Sequence, residues 1–298
     1  MDFKRIEWIF IVTFLFLNVF FLYQISAKTQ DTFAGSQAGT VDLVAEMENQ
    51  GITLPKFDNE EYKIPYVQAE TNKLLEDNRG ELTNQTGTMD DTGLLYVSIL
   101  SEPIVLSSTE NLSSDDVQKI NAFLKSSNVL FGKEYEFVRY MPNMKQIIYG
   151  QVANNVPIAD GTATITFHLS GDKEVISYEQ TYAGPVTVQG DSRTLITDKN
   201  AVEILYQNTK IAADSKVGKP LLTYYRTLDL DELSMYAPVW SVEVQTGTDS
   251  HIEWVDAVSG SVLQDSSSDK QPNSTADSSA EEETKNRQED GSQANSEE

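Results

Sequence analysis

The sequence predicts an α+β protein with a single N-terminal transmembrane helix. An exported body of two helix-on-antiparallel-sheet lobes follows, and then a disordered acidic C-terminal tail. Three observations predict it. Residues 8–27 form an uncharged apolar run of bilayer length. Two segments with helical spacing are each followed by short alternating segments broken by turn residues. Residues 264–298 contain no aromatic residue and no Val, Leu, Ile or Met, and they carry ten acids against Lys270, Lys285 and Arg287. Such a segment cannot bury enough apolar surface to offset its chain entropy.

The apolar run comes first. No charge lies between Glu7 and Lys28. A helix over WIFIVTFLFLNVFFLYQISA would be about 30 Å long at ~1.5 Å per residue, matching the hydrocarbon layer. Trp8 and Tyr23 fall near its ends, where amphipathic rings anchor at the headgroups. Lys4 and Arg5 precede the span, so the positive-inside rule makes residues 1–7 a cytoplasmic stub. The C-terminal body is then extracellular and the chain a single-pass protein of the cell membrane. A cleaved signal peptide ending near Ser26–Ala27 is the alternative, but the run is longer than a typical signal core. Either way the body is exported. Within the span Leu15, Asn18 and Leu22 lie on one helical stripe with Phe14 and Phe21 beside it, a candidate transmembrane partner interface. The Asn18 amide is costly in hydrocarbon unless it bonds to another helix, or to a carbonyl or water nearby.

The body follows as helix and strand segments. Residues 28–92 read as a juxtamembrane and N-terminal part, irregular apart from a short helix at Val41–Asn49 and a strand at Tyr62–Ala69. A first α+β lobe is expected over 93–186. Strands Leu94–Leu100 and Ile104–Leu106 flank Pro103, and Ser113 or Ser114 caps a helix whose first turn carries Asp115 and Asp116. Val117, Ile120 and Leu124 repeat at helical spacing, and strands are expected at Tyr135–Tyr140, Lys145–Val152, Thr162–Ser170 and Glu174–Tyr182. The second lobe, 187–263, repeats the plan. Thr197 or Asp198 caps a helix bearing Ala201, Ile204 and Leu205, and strands follow at Leu221–Leu228, Val239–Gln245, His251–Val255 and Ser261–Leu263. Along the third-last of these segments Trp240, Val242 and Val244 alternate with Val239, Ser241 and Glu243, so one set should face the helix. Trp240 and Trp254 read as core residues or cross-strand partners, and Ser259–Gly260 as a tight turn.

Composition excludes several functions. Forty-six Asp and Glu against 22 Lys and Arg give a net charge of −24, which repels nucleic acid and anionic lipid headgroups. With no Cys and only His168 and His251, thiolate chemistry and multi-histidine metal sites are absent from the sequence. No Walker loop, GxGxxG, GxSxG or HExxH occurs. His251 and Glu253 share a strand face while Asp256 points away from it, and the acids Asp229, Asp231 and Glu232 lack the glycine-turned loop of a calcium site. Neither enzymatic activity nor a cofactor or metal is expected.

The opening MDFKRIEWIFIVTFLFLNVFFLYQ, a short stub with a basic pair before an Ile/Phe/Leu-rich anchor ending in YQ, resembles the N-terminus of the YycI family. The closing PVWSVEV…HIEWVDAVSGSVL resembles that family's last hairpin and, more loosely, a PepSY-type ending. The resemblance implies two α+β domains related to those of YycH. It also implies a non-enzymatic role: a membrane-anchored regulator of the WalK (YycG) sensor histidine kinase, acting with YycH partly through transmembrane contacts to tune the WalRK cell-wall response. A homodimer is a further option. The alternative is a PepSY-like inhibitory or ligand-binding module, for which a pocket beside the second helix would speak. An exported wall-acting enzyme is a third reading. The long acidic tail lies outside the resemblance.

Overall fold

The computed structural model describes Trp8 and residues 11–21, 42–83 and 85–264. Residues 1–7, expected as a cytoplasmic stub, Leu22, Tyr23 and tail residues 265–298 lie outside the described residues. Residues 11–21 are helical (α1) and apolar on every side, with Phe14, Leu15 and Phe16 each more than 60% exposed. Among the described residues no helix is long and apolar enough to cross a membrane. Of the expected transmembrane helix, only Trp8 and this eleven-residue stretch are described, residues 9–10 and 22–27 of the predicted span lying outside the described residues.

The body is α+β, with two antiparallel sheets. Its elements run α2 (Leu43–Asn49), β1 (Lys63–Glu70), α3 (Leu74–Asn78), β2 (Gln85–Met89), β3 (Leu95–Val105), α4 (Ser114–Leu124), β4 (Tyr135–Met141), β5 (Gln146–Ala153), β6 (Val156–Pro157), β7 (Thr164–Leu169), β8 (Glu174–Thr181), β9 (Val186–Thr194), α5 (Asp198–Gln207), β10 (Lys216–Val217), β11 (Leu221–Asp229), β12 (Leu233–Thr246), β13 (Asp249–Asp256) and β14 (Val262–Leu263). Sheet I has the order β14-β13-β12-β1-β9, with β10 and β11 also on β12, and sheet II the order β2-β3-β8-β7-β5-β4, with β6 on β5. Sheet II is thus inserted in sequence between two neighbouring strands of sheet I, β1 and β9. Within residues 28–92, α2 and β1 belong with sheet I and α3 and β2 with sheet II.

Both main helices begin where the caps predict. Ser113 accepts from Asp116 N–H, and the Asp116 side chain answers on the Ser113 backbone, a reciprocal capping box that starts α4. Thr197 caps α5 through Asn200 N–H. Helix α4 buries Ile120 and Leu124 against Ile147, Tyr149, Ile165 and Tyr178 of sheet II, while Phe123 meets Phe167 and Tyr178 edge-on at about 6 Å. Helix α5 buries Ala201, Val202 and Leu205 against Trp240, Val242, Val244 and Val255, with Met47 of α2 closing the same core. Each fully buried Val or Leu there contributes ~1.5–3 kcal/mol. The alternating face that meets the helix is therefore the one bearing Trp240. Since Trp240 pairs with Val255, and Trp254 with Ser241, the two tryptophans lie on opposite faces of sheet I and are not partners. Trp254 instead meets Tyr225, centroid to centroid 5.5 Å.

Two strand segments expected on either side of Pro103 form one strand, β3. Its pairing with β8 shifts register between Ile99 and Ile104, so the proline falls in the irregular part where no ladder N–H is required. A third core of Val67, Ala69, Ala153, Val156, Ile158, Tyr224 and Tyr236 joins the sheets. Polar latches reinforce it: Tyr224 O–H donates to Pro65 O at 2.9 Å, Arg226 N–H to Asp160 Oδ2 at 2.6 Å, and Arg139 Nη2 to Ser241 Oγ at 2.6 Å.

Candidate functional site

Two places come forward: the apolar stripe of α1, expected from the sequence, and a groove at the junction of the sheets, which the sequence did not reveal. On α1, Phe14, Leu15 and Phe21 are exposed by 70%, 61% and 54%, as is Trp8 by 70%. Asn18 Nδ2 donates to Phe14 O at 2.8 Å, one turn back. An Asn amide has two donor hydrogens and an acceptor oxygen, and this bond uses one donor. Nearby carbonyl satisfaction is therefore realised within the helix. Leu22 and Tyr23 fall outside the described residues.

The groove encloses about 500 Å³, within the range of ligand pockets. Its walls come from four places in the chain: the loop with Asp58 and Glu60, the start of β1 with Tyr62 and Ile64, the β5–β6 turn at Asn154–Asn155, and Lys219 to Leu222 leading into β11. Asp198 of α5 and Trp240 of β12 complete the lining. Local sequence explains each wall. Asn154 and Asn155 adopt φ of +48° and +61°, conformations that Asn tolerates in tight hairpin turns. Asp198 is buried in the first turn of α5, where the helix dipole favours an anion. Its carboxylate accepts from Asp58 N–H at 2.7 Å, Asn59 N–H at 3.0 Å and Lys199 N–H at 2.8 Å. It therefore acts as an anchor for the acidic loop, with its oxygens already engaged.

The rim is electrostatically organised. Lys219 Nζ pairs with Asp58 Oδ2 at 2.7 Å, which raises the ammonium above its ordinary range. Tyr62 O–H donates to Glu60 Oε2 at 2.8 Å, and that bond, followed by burial, raises the phenol. Tyr62 stands edge-on to Trp240 with centroids 6.0 Å apart, and Trp240 Nε1 donates to Ile196 O at 2.9 Å. The lining thus offers three carboxylates against one ammonium, over a floor of Ile64, Leu222 and Trp240.

The other polar positions read from sequence stay dispersed. His251 Nε2 and Glu253 Oε1 are 3.6 Å apart, as their shared face requires, while Asp256 accepts from Val258 and Ser259 N–H in the turn. Asp229 pairs with Arg226 at 3.2 Å and accepts from Ser234. Among the described residues no group of three or more His, Asp or Glu could hold a metal ion. Sequence reasoning took Asp198 as a cap candidate and passed over Asp58, Glu60 and Lys219. The only sequence signal for Asp58 and Glu60 is a local clustering of acids before β1, and Lys219 has none.

The chain matches the YycI protein family over residues 30–258, more than half its length. No curated protein matches it. Among solved structures, the crystal structure of an uncharacterized protein from Eubacterium rectale ATCC 33656 is similar at 11% identity, covering 72% of this chain and 89% of that chain with a TM-score of 0.37. That likeness is too remote to bear on function.

Proposed function

The chain belongs to the YycI family, whose members have a regulatory role in the WalRK system, and from that premise we propose that it acts on the sensor histidine kinase WalK, together with YycH, as a membrane-anchored regulator. The family is a regulatory one and is not known for enzymatic activity. Family membership carries this reading. Residues 8–27 cross the membrane once, the N-terminus lies in the cytoplasm, and the body faces outward. The all-round apolar surface of α1 supports that placement, because a helix without a polar face belongs in a core or a bilayer. The stripe of Phe14, Leu15, Asn18, Phe21 and Leu22 contacts the kinase's spans, with Trp8 and Tyr23 at the headgroups. Helices in lipid associate by packing and interhelical hydrogen bonds, since no hydrophobic drive separates them from the acyl chains.

The experiment replaces residues 8–27 by an unrelated apolar span and reads transcription from a WalR-controlled promoter. Loss of regulation with the exported body intact is the expected result. Normal regulation by the swapped anchor would place the coupling in the body and overturn the stripe. Asn18→Leu should weaken helix association by about 0.6 kcal/mol, roughly threefold, the modest value set by an amide that already has a partner in its own helix. A membrane two-hybrid reporter measures this.

The second reading, a PepSY-like ligand-binding module, is favoured by one specific observation: the groove lies beside α5, the second of the two main helices.

A further inference from the structure

We infer that the groove at the junction of the two sheets binds an organic cation on an apolar stem, an alkyl-guanidinium or alkyl-ammonium group, and that Lys219 occupies the cation's place until it is displaced. The inference stands apart from the regulatory reading and needs only the groove.

The lining selects the sign of charge. Asp58, Glu60 and Asp198 face Lys219 alone, so the groove is net acidic within a chain of net charge −24, and anions are repelled twice over. Asp198 is spent on three backbone N–H groups, which fixes the loop so that Asp58 and Glu60 stand at the rim. These two carboxylates are the available acceptors. Tyr62 holds Glu60 through its hydroxyl and offers its ring to a cation, with the buried Trp240 packed edge-on to it. Ile64, Pro220 and Leu222 match a methylene stem.

Lys219 shows what the site accepts. Its ammonium rests on Asp58 at 2.7 Å although its side chain is 58% and that of Asp58 45% exposed. Exposed ion pairs of this kind contribute little to stability, so an incoming cation with better-matched geometry can replace it. A guanidinium brings a planar fork suited to a carboxylate, which the lysine lacks. Because Asn154, Asn155 and Val156 come from the sheet II hairpin and the remaining walls from the sheet I unit, an occupant touches both.

The test uses the full chain in lipid nanodiscs, labelled with 5-fluorotryptophan and followed by fluorine NMR, the three resonances being assigned through Trp8→Phe and Trp254→Phe. Pentylguanidine, an acetylated and amidated Ala-Arg-Ala tripeptide, and the same tripeptide with norleucine for arginine are titrated separately. Both cations should move the Trp240 resonance while Trp254, on the opposite sheet face, stays in place. The norleucine peptide should move neither. Glu60→Gln should weaken binding and Lys219→Met should tighten it, each by up to about fivefold. Tighter binding of the tripeptide marks a partner's side chain as the natural source, and tighter binding of pentylguanidine marks a free amine or guanidine. The inference is overturned if Trp240 does not respond, if norleucine binds as well as arginine, if Trp254 moves equally, or if Lys219→Met binds more weakly than the unaltered chain.

Discussion

Replacing Asp116 tests whether α4 is held by its capping box. The side chain is fully buried and accepts from Ser107 N–H at 3.0 Å, Ser113 N–H at 3.3 Å, the Ser113 hydroxyl at 2.7 Å and the Ser107 hydroxyl, with Lys119 Nζ 3.4 Å away. Asp116→Ala removes the return half of the capping box, leaving the Ser113 N–H without its acceptor while Ser113 Oγ keeps the residue-116 N–H, at a cost of about 1 kcal/mol. It also leaves the Ser107 N–H without its acceptor, at about 1–3 kcal/mol more. The total, roughly 2–4 kcal/mol, is a large fraction of the 5–15 kcal/mol that holds a typical domain together. Asp116→Asn keeps the shape and loses the charge assistance, so about half that penalty is expected.

The pH dependence follows from the same contacts. Burial works against ionisation of Asp116, but the hydrogen bonds from Ser107 and Ser113 outweigh it and hold the carboxyl well below its ordinary range. A carboxyl lowered on folding contributes stability that is complete above its unfolded value, near ~3.9, and that is lost as pH falls from there toward the folded value. Urea unfolding followed by far-ultraviolet circular dichroism at pH 7 and pH 3 measures it. The gap between the unaltered chain and Asp116→Asn should narrow at pH 3. A variant as stable as the parent at pH 7, or a gap that widens in acid, would refute the reasoning.

Other outcomes are equally specific. Burial brings the Arg139 guanidinium down to about 10, and Ser241→Ala, which removes its hydroxyl acceptor, should cost about 1.5–3 kcal/mol in urea unfolding. Arg139→Met should cost less than Ser241→Ala, because it removes the buried charge along with its bond. A Cβ on Gly132 would stand 1.9 Å from Leu124 O, so Gly132→Ala should destabilise by about 1–3 kcal/mol in the same assay. A chain ending at Leu263 should melt within about two degrees of the full chain by calorimetry, since residues 264–298 hold no aromatic residue and no Val, Leu, Ile or Met.

Local signals in the sequence determined the helix starts, the strand alternation and the charge. Ser113 with Asp116, and Thr197 ahead of α5, are read from side chains that bond three residues away. The alternation of Trp240, Val242 and Val244 follows from the two-residue period of a strand, and it offered two faces without saying which meets α5. Strand β9 gave no signal. After Val186 all its residues are exposed, so no buried face writes a period into it, and only its pairing with β1 makes it a strand. The nesting of sheet II between β1 and β9 was likewise invisible, because register across more than a hundred residues is fixed by pairing along both edges of β1. The groove belongs to the same class. Asp58, Asn154, Lys219 and Trp240 have no spacing in common, and each has an ordinary local reason for its place. Their convergence was decided by the third core, where Val67, Ile158 and Tyr224 pack and bring the two sheets edge to edge.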